Sequence, residues 1–448
     1  MATLTSREIL DRVRDLAQRS GAAEAEAYVE IVNVTEARVR QGEVEFLGQS
    51  AIQGLGVRVF VDRKVGFSYT TDLRPNIMDE MVRRTIGLAA LNSPRDENRL
   101  PDEQLPALPE LELYDPSVAA LRPADLIAMA RTCEDHAFAA DKRVQTTQDS
   151  RAVSATAEVH FSNTYVPYQT YRTSTCTLGV TAIATDGKSK REGSYEDQRR
   201  FLLDLSTPER MGRKAAERAV ARLGAKPVAT TEAPVIFEAD AAGSFWRGLL
   251  PALSAANVAE GRSFLIGKYE KPVASPLVSL VDDGLFRRGL GTRPFDGEGV
   301  QQRRTVMIER GVLKKILHTS TTARRLNVRL TGNATRSYDT IPAVGSTNLI
   351  LESGTGTLGK LISETARGLL VTETAGFGID TVSGEFSQQV TGRWIEKGVL
   401  GAGVEGVTVA GRLDEMLLGI DAVAKDIEYR SAVSSPSIRF RQLTIAGV

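Results

Sequence analysis

Residues 26–71 read EAYVEIVNVTEARVRQGEVEFLGQSAIQGLGVRVFVDRKVGFSYTT, and this stretch decides the fold of the first half of the chain. It is rich in β-branched residues and alternates apolar with polar side chains, which is typical of half-buried strands. Turn residues interrupt the alternation at Gly42, at Gly54 and at the sequence DRK, residues 62–64. Such residues between short alternating runs mark hairpin connections. The pattern therefore predicts a meander of four or five strands.

Helical patterns lie on both sides of this meander. Each has apolar residues at the three- and four-residue spacing that places them on one helix face. The first opens on a capping box of Thr5 and Glu8, and the last carries Pro208 in its first turn and ends at Gly224. The helices are predicted at residues 6–20, 74–91, 123–140 and 206–224.

An aperiodic segment with two prolines, residues 225–233, separates two halves of different composition. Residues 1–224 combine helices with the strand meander, whereas residues 234–448 are rich in glycine and in strand patterns. Helices and strands that are not in regular βαβ alternation indicate the α+β class. We therefore predict two domains, an N-terminal helix and strand-meander domain over 1–224 and a Gly-rich, strand-rich domain over 234–448.

The charge and hydropathy of the chain exclude some classes of partner. Its 56 basic and 56 acidic residues give a formal net charge of zero, which argues against binding to nucleic acid or to anionic lipid. The N-terminal residues lack a signal-peptide pattern, and no apolar run approaches the roughly 20 residues that span a bilayer. We expect a soluble, cytoplasmic protein with no nucleic-acid partner and no membrane partner.

Metal and nucleophile motifs are absent from the sequence. Catalytic zinc requires three protein ligands with a close local pair, and the chain has only His136, His160 and His318, which lie far apart. Cys133 stands one helical turn before His136, but no third ligand is apparent. There is no G-x-S-x-G elbow and no phosphate-binding loop. Residue patterns alone predict a two-domain α+β protein without a defined catalytic centre.

One stretch, RPFDGEGVQQRRTVMIERG at residues 293–311, places Asp296 and Glu298 two positions apart. On an extended segment such side chains share a face, so the two carboxylates could form an acid/base pair. A glycosidase pair needs its carboxyl groups on separate rigid elements, and a calcium loop needs further oxygen ligands. The glycines around these acids favour a turn, or a surface that meets a partner.

The order of segments in the second half resembles the TldD/PmbA family, and within it the PmbA branch, also called TldE. The resemblance is carried by TRPFDGEGVQQRRTVMIERG, TGNATR, GSTNLILESGTGTLGKLI, DTVSGEFSQQVTGRWIEKG, VEGVTVAGRLDEML and AKDIEYRS. It runs from about Val235 to the C-terminus. The first half is compatible in layout, with less specific motifs.

This resemblance implies a subunit that pairs with a second subunit around an enclosed cavity. TldD-type members carry a zinc-binding His-Glu-x-x-x-His helix and a later cysteine ligand. The matching region here, residues 239–264, contains no histidine, Glu260 is its only glutamate, and both cysteines precede residue 225. No cofactor is therefore expected in this chain, and zinc is expected in a TldD-type partner. The chain is expected to be inactive alone.

The resemblance is compatible with two functions. The first is a non-catalytic TldE/PmbA-type subunit of a TldD–TldE-like zinc metalloprotease, which degrades unfolded polypeptides or trims leader peptides. The alternative is a homodimeric peptide-binding or regulatory protein without protease activity. An independent hydrolase is the least favoured. The name "modulator of DNA gyrase" also attaches to the family, but no gyrase-binding feature is visible in the sequence.

Six residues are candidates to face the cavity or the partner. The loop at residues 380–392 is a polar, small-residue segment between apolar strands, and the family's segment of this kind lies toward the active centre. The candidates are Asp296, Glu298, Asn333, Ser383, Glu385 and Ser387. No catalytic and no metal-ligating residue is assigned.

Overall fold

The structure is a computed structural model that describes residues 4–101, 110–376 and 378–448. In the first half the helices are α1 (Ser6–Arg19), α2 (Pro75–Leu91), α3 (Pro116–Ala119), α4 (Pro123–Ala140) and α5 (Pro208–Ala221), and the strands are β1 (Glu24–Arg40), β2 (Glu43–Val61), β3 (Lys64–Thr70), β4 (Val144–Asn163), β5 (Gln169–Thr185) and β6 (Lys190–Arg199). None of these helices, nor any later one in the described ranges, combines the length and apolar content that a bilayer crossing needs.

In the second half the helices are α6 (Ala239–Leu249), α7 (Ala255–Ala259), α8 (Ser320–Arg325), α9 (Leu358–Ser363) and α10 (Leu413–Leu418). The strands are β7 (Thr231–Phe237), β8 (Leu280–Asp283), β9 (Arg304–Glu309), β10 (Val312–Leu313), β11 (Ala334–Thr335), β12 (Ala343–Val344), β13 (Leu349–Leu351), β14 (Arg367–Ala375), β15 (Glu385–Glu396), β16 (Val399–Arg412), β17 (Ile420–Val423), β18 (Val433–Ser434) and β19 (Ile438–Ala446). The predicted α+β class is confirmed, with a strand-rich second half.

The strands of the first half form one antiparallel sheet in the order β3-β2-β1-β4-β5-β6. Helices α1 and α2 bury apolar side chains such as Leu10 and Met78 against β1 and β2. Helices α4 and α5 bury a second set, including Leu126 and Met211, against β4, β5 and β6. Each of these four helices thus packs its apolar face against the sheet, as expected for an amphipathic helix.

The stretch 26–71 forms three strands, so the predicted count of four or five strands was wrong. Strand β2 continues for 19 residues through Gly54 without a turn. Gly54 instead makes room for Tyr338 of the second half, since a Cβ there would lie 2.2 Å from the tyrosine ring. The two turns are at residues 41–42 and 62–63, where positive φ angles match a two-residue hairpin turn.

A closed barrel of β7, β14, β15, β16 and β19 forms the centre of the second half, because β16 also pairs with β19. Closure leaves no free edge between these strands. Aromatic rings fill the interior, where Phe237 lies 5.1 Å from Phe440 and 6.2 Å from Phe245 of α6, measured between ring centroids. Strands β10, β9, β8, β13 and β18 form a second sheet beside the barrel. Helix α6 follows β7 directly and so is fixed by the barrel core.

Candidate functional site

The Asp296 carboxylate shapes a turn. Its Oδ1 accepts the backbone N–H groups of Glu298 at 2.8 Å and Val300 at 3.0 Å, and its Oδ2 accepts the N–H of Ala334 at 2.9 Å. Asp296 is only 1% exposed. Burial, with Glu298 close by, raises the pKa of Asp296 to about 7, against the three N–H donors that lower it. Its two oxygens are thus engaged in holding the backbone together.

Glu298 belongs to a buried charge cluster that joins the two halves of the chain. Its carboxylate accepts hydrogen bonds from Arg58 at 3.2 Å and from the backbone N–H and hydroxyl of Ser320, both at 2.8 Å. Arg58 also binds Glu26 at 2.9 Å, and Arg336 forms an ion pair with the same Glu26. Two guanidinium groups therefore balance two carboxylates, a neutral arrangement that can be buried.

Asn333 lies in the same buried region. Its amide donates to Asp282 at 2.6 Å and to the carbonyl of Gly345 at 3.2 Å. Burial raises the pKa of Asp282, although bonds from Thr347 and Asn333 oppose this effect. The structure thus brings Asp296, Glu298 and Asn333 together beneath the first-half sheet. None of the three lies on the surface of the single chain.

The segment at residues 380–392 lies elsewhere, and the prediction that all of it is a loop was wrong, because β15 begins at Glu385 and only residues 380–384 form a turn. Its three candidate residues are exposed on the single chain: Ser383, Glu385 and Ser387. Asp380 holds the turn by accepting the hydroxyl of Ser383 at 2.8 Å. The N–H of Phe264 donates to the carbonyl of Thr381 at 2.9 Å, which places the loop against residues 239–264. Its orientation toward a cavity or a partner stays a prediction.

The three histidines occupy unrelated places. His136 is half-buried on α4, and Cys133 one turn earlier is fully buried, with a pKa that burial raises to about 12. His160 hydrogen-bonds Tyr168 at 2.8 Å on the first-half sheet. His318 is buried in the second half, where burial lowers its pKa to about 4. The structure does not bring these side chains together as a metal site.

A cleft of about 530 Å³ opens at the N-terminus of α6, between the first-half sheet and the barrel. We call it the α6 cleft. Its centre is Asp240, whose carboxylate accepts hydrogen bonds from Arg218 of α5 at 2.8 Å and from Arg430 at 2.6 Å. Burial alone would favour the neutral acid, but Arg430 and Arg218 outweigh it and lower the pKa of Asp240. Asp240 is therefore a carboxylate held between two guanidinium groups.

The residues of the α6 cleft do not fit a zinc ion. Zinc takes histidine, cysteine or carboxylate ligands, and three from the protein at a catalytic site. Both oxygens of Asp240 are already occupied by arginines, whose charges repel a cation, and Glu260 pairs with Arg262 at the surface. Within residues 4–101, 110–376 and 378–448, no three His, Cys, Asp or Glu side chains lie close enough to hold a metal ion.

The arginines of this cleft were not identified from the sequence. Arg430 lies in AKDIEYRS, one of the segments that carry the family resemblance, and this was the available signal. Arg218 is on the exposed side of a helix pattern, where a basic residue is ordinary. Their shared partner, Asp240, is 22 residues from one and 190 from the other, so no local spacing connects the three.

The chain is similar to known proteins along most of its length. Three family profiles cover residues 25–89 (PmbA/TldA metallopeptidase domain 1), 116–223 (central domain) and 230–447 (C-terminal domain). The metalloprotease PmbA of Escherichia coli O157:H7 is 30% identical over 411 residues, which are 91% of this chain and 89% of that protein.

Solved structures agree with this match. A Thermotoga maritima protein whose suggested role is to modulate a DNA gyrase superimposes with a TM-score of 0.90 at 28% identity, over 99% of this chain and all of that chain. TldE from Thermococcus kodakarensis superimposes with a TM-score of 0.87 over 98% of this chain and 99% of that chain; at 22% identity it supports the fold alone.

Proposed function

This chain belongs to the PmbA/TldD metallopeptidase family, and we propose that it acts there as the non-catalytic, TldE-type subunit of a TldD–TldE-like zinc metalloprotease. A TldD-type partner would supply the zinc, which activates the attacking water when bound. The chain described here would enclose the cavity and bind peptide. The substrates would be unfolded polypeptides or leader peptides, and the location would be the cytoplasm.

The observation that carries the proposal is the chemistry of the α6 cleft. The family's zinc helix corresponds to residues 239–264, and in this chain the cleft there presents Asp240 between Arg218 and Arg430. An acid neutralised by two guanidinium groups neither ligates zinc nor takes a proton at neutral pH. A cleft whose described residues include no three-ligand set for zinc, in a chain that otherwise keeps the family fold, supports a binding role beside a metal-carrying partner.

The first-half hairpin offers a surface for that partner. Strand β3 pairs with β2 only from Leu55 onward, so among the described residues positions 43–54 of β2 pair on one side alone. Four apolar side chains on this segment are 40–47% exposed: Val44, Phe46, Leu47 and Ile52. Unpaired strand edges with exposed apolar side chains favour association. We propose that the TldD-type subunit covers this edge.

A homodimer is the second candidate, and the same edge favours it. An unpaired antiparallel strand can pair with a second copy of itself about a two-fold axis, since an isologous interface uses one patch twice. In that case the chain would bind peptide without cleaving it. The two functions differ in whether a TldD-type subunit displaces the second copy.

The test is reconstitution with a TldD-type subunit. The purified chain should contain no stoichiometric zinc by elemental analysis, cleave no unfolded casein alone, and enable cleavage once the partner is added. Replacing Phe46 and Leu47 by serine should weaken assembly, measured by analytical ultracentrifugation. Leu203→Ser is the matched control, because Leu203 is 95% exposed and outside the hairpin. About one zinc per chain with chelator-sensitive cleavage by this chain alone would refute the proposal.

A further inference from the structure

A second pocket, of about 410 Å³, adjoins the α6 cleft. It lies where the end of β6 meets residues 286–290, β13 and residues 429–434, and we call it the Arg200 pocket. Both cavities share Gln198, Ser431 and Ser434 as lining residues, so they are direct neighbours.

Of the four arginines that line the Arg200 pocket, three form ion pairs with carboxylates of the described residues. Three lining arginines have acidic partners in the structure: Arg199 pairs with Asp197, Arg287 with Glu112, and Arg288 with both Glu112 and Asp204. Three arginines thus meet three carboxylates. The fourth lining arginine, Arg200, pairs with no carboxylate in the described part of the chain, which leaves one positive charge over.

Arg200 is only 5% exposed, which is unusual for a cation without an acidic partner. Its Nε donates to the carbonyl of Gly289 at 3.1 Å, and its Nη2 donates to those of Leu290 at 2.6 Å and Thr292 at 3.1 Å. Burial lowers its pKa to about 10. Nη1 has no hydrogen-bond partner among the described residues and is not fully shielded from solvent. Arg200 is also one of the residues that line the pocket.

Tyr429 contributes a second free donor. Its ring packs on Phe286 with centroids 4.7 Å apart, and the residue is 39% exposed. Within the described ranges its hydroxyl forms no hydrogen bond. The pocket thus combines an uncompensated guanidinium, a phenolic O–H and an aromatic wall, the elements that bind a carboxylate next to an apolar group.

We propose that the Arg200 pocket binds a peptide carboxylate, with Arg200 and Tyr429 as its donors, while the rest of the peptide lies in the α6 cleft. The inference rests on the proposed peptide-binding function and deepens it. The carboxylate can come from a peptide's C-terminus or from an acidic side chain. In either case the pocket fixes the position of the peptide before a partner's zinc acts on it.

The competing explanation is that Arg200 only fixes the backbone at residues 289–292 through its three carbonyl bonds. Under that explanation the pocket has no preference between charged and neutral peptide ends. Tyr429→Phe separates the two, because it removes a hydroxyl that holds no part of the described structure and keeps the ring against Phe286.

The experiment measures binding of fluorescein-labelled hexapeptides of alanine, glycine and serine to the full chain by fluorescence anisotropy. One peptide ends in a free carboxylate, one in an amide, and one in an amide with an internal aspartate. We expect the free carboxylate or the internal aspartate to bind about tenfold more tightly than the plain amide, since bonds to charged groups are the strong ones. Which of them does so identifies the source of the carboxylate.

The variants then locate the preference. Tyr429→Phe should weaken carboxylate binding several-fold and leave amide binding unchanged, and Arg200→Met should abolish the preference if its melting curve stays cooperative. Tyr269→Phe is the control, since Tyr269 is 64% exposed and lines neither cavity.

Equal affinity for all three peptides, no peptide binding, or an unchanged preference in Tyr429→Phe would overturn the inference. Assembly with a TldD-type subunit is measured separately. Failure to assemble, with the carboxylate preference intact, would refute the proposed function and leave the pocket assignment standing.

Discussion

The buried cluster of Glu26, Arg58, Glu298 and Arg336 gives the sharpest test of how the two halves are held together. We consider Arg58→Met, which keeps an unbranched side chain of similar length and removes the charge. The Arg58 side chain is 7% exposed, and its two acidic partners are 0% and 1% exposed. The variant therefore leaves two buried carboxylates facing a gap that water does not readily fill.

The expected loss follows from these contacts. Breaking a buried ion pair by removing one partner costs about 3–5 kcal/mol. Glu26 keeps Arg336, and Glu298 keeps two hydrogen bonds from Ser320, both at 2.8 Å. We therefore expect the lower part of that range, about 3 kcal/mol. The matched control is Arg38→Met on β1, where Arg38 is 44% exposed beside Glu36. Its loss should stay below about 1 kcal/mol.

Hydrogen exchange followed by mass spectrometry is the suitable assay, because it reports local opening free energies. Peptides from β1, from β2 and from residues 293–300 should lose protection together in Arg58→Met. A double-mutant cycle with Glu298→Gln adds a second readout. The neutral amide should cost less in the Arg58→Met background than in the natural chain, with a coupling of at least about 1 kcal/mol. Additive losses, or an Arg58→Met cost no larger than that of Arg38→Met, would refute the reasoning.

Three further predictions use the same structure. His318→Gln should reduce the loss of stability between pH 6.5 and 4, because a histidine whose folded pKa is lowered from 6.5 to about 4 loses its contribution as the pH falls through that window. The measurement is the urea midpoint at pH 7 and at pH 4.5, with the half-buried His136→Gln as control. Equal pH dependence in the two variants would contradict this prediction. Limited proteolysis should cut first within residues 225–230, the part of the predicted 225–233 boundary that precedes β7, as the proposed two-domain division requires. An intact chain at high protease would argue against it. A thiol at Ser387→Cys should react with maleimide in the free chain and be protected on adding a TldD-type subunit, whereas Ser117→Cys on α3 should react equally in both; both native thiols are buried and should stay silent.

The sequence by itself determined the local elements. Thr5 and Glu8 form the predicted capping box, in which each side chain accepts the other's backbone N–H, and Thr207 caps α5. These signals can be read because donor and acceptor lie within one helical turn of each other. The absence of histidine from residues 239–264 is also a property of the sequence alone, and no fold can give this segment a histidine ligand for zinc.

Tertiary structure alone decided the rest. Gly54 resembles a turn residue, and only the approach of Tyr338, 284 positions later, shows why β2 continues through it. Asp296 and Glu298 look like an exposed pair, yet three backbone N–H groups hold the buried Asp296, and Arg58, 240 positions from Glu298, pairs with the buried Glu298. Arg200 is one of many arginines until the fold places three carbonyls, and no carboxylate of the described residues, around it. The physical reason is the same each time: the charge, space and hydrogen-bond partners that define these residues come from segments that only the completed fold brings together.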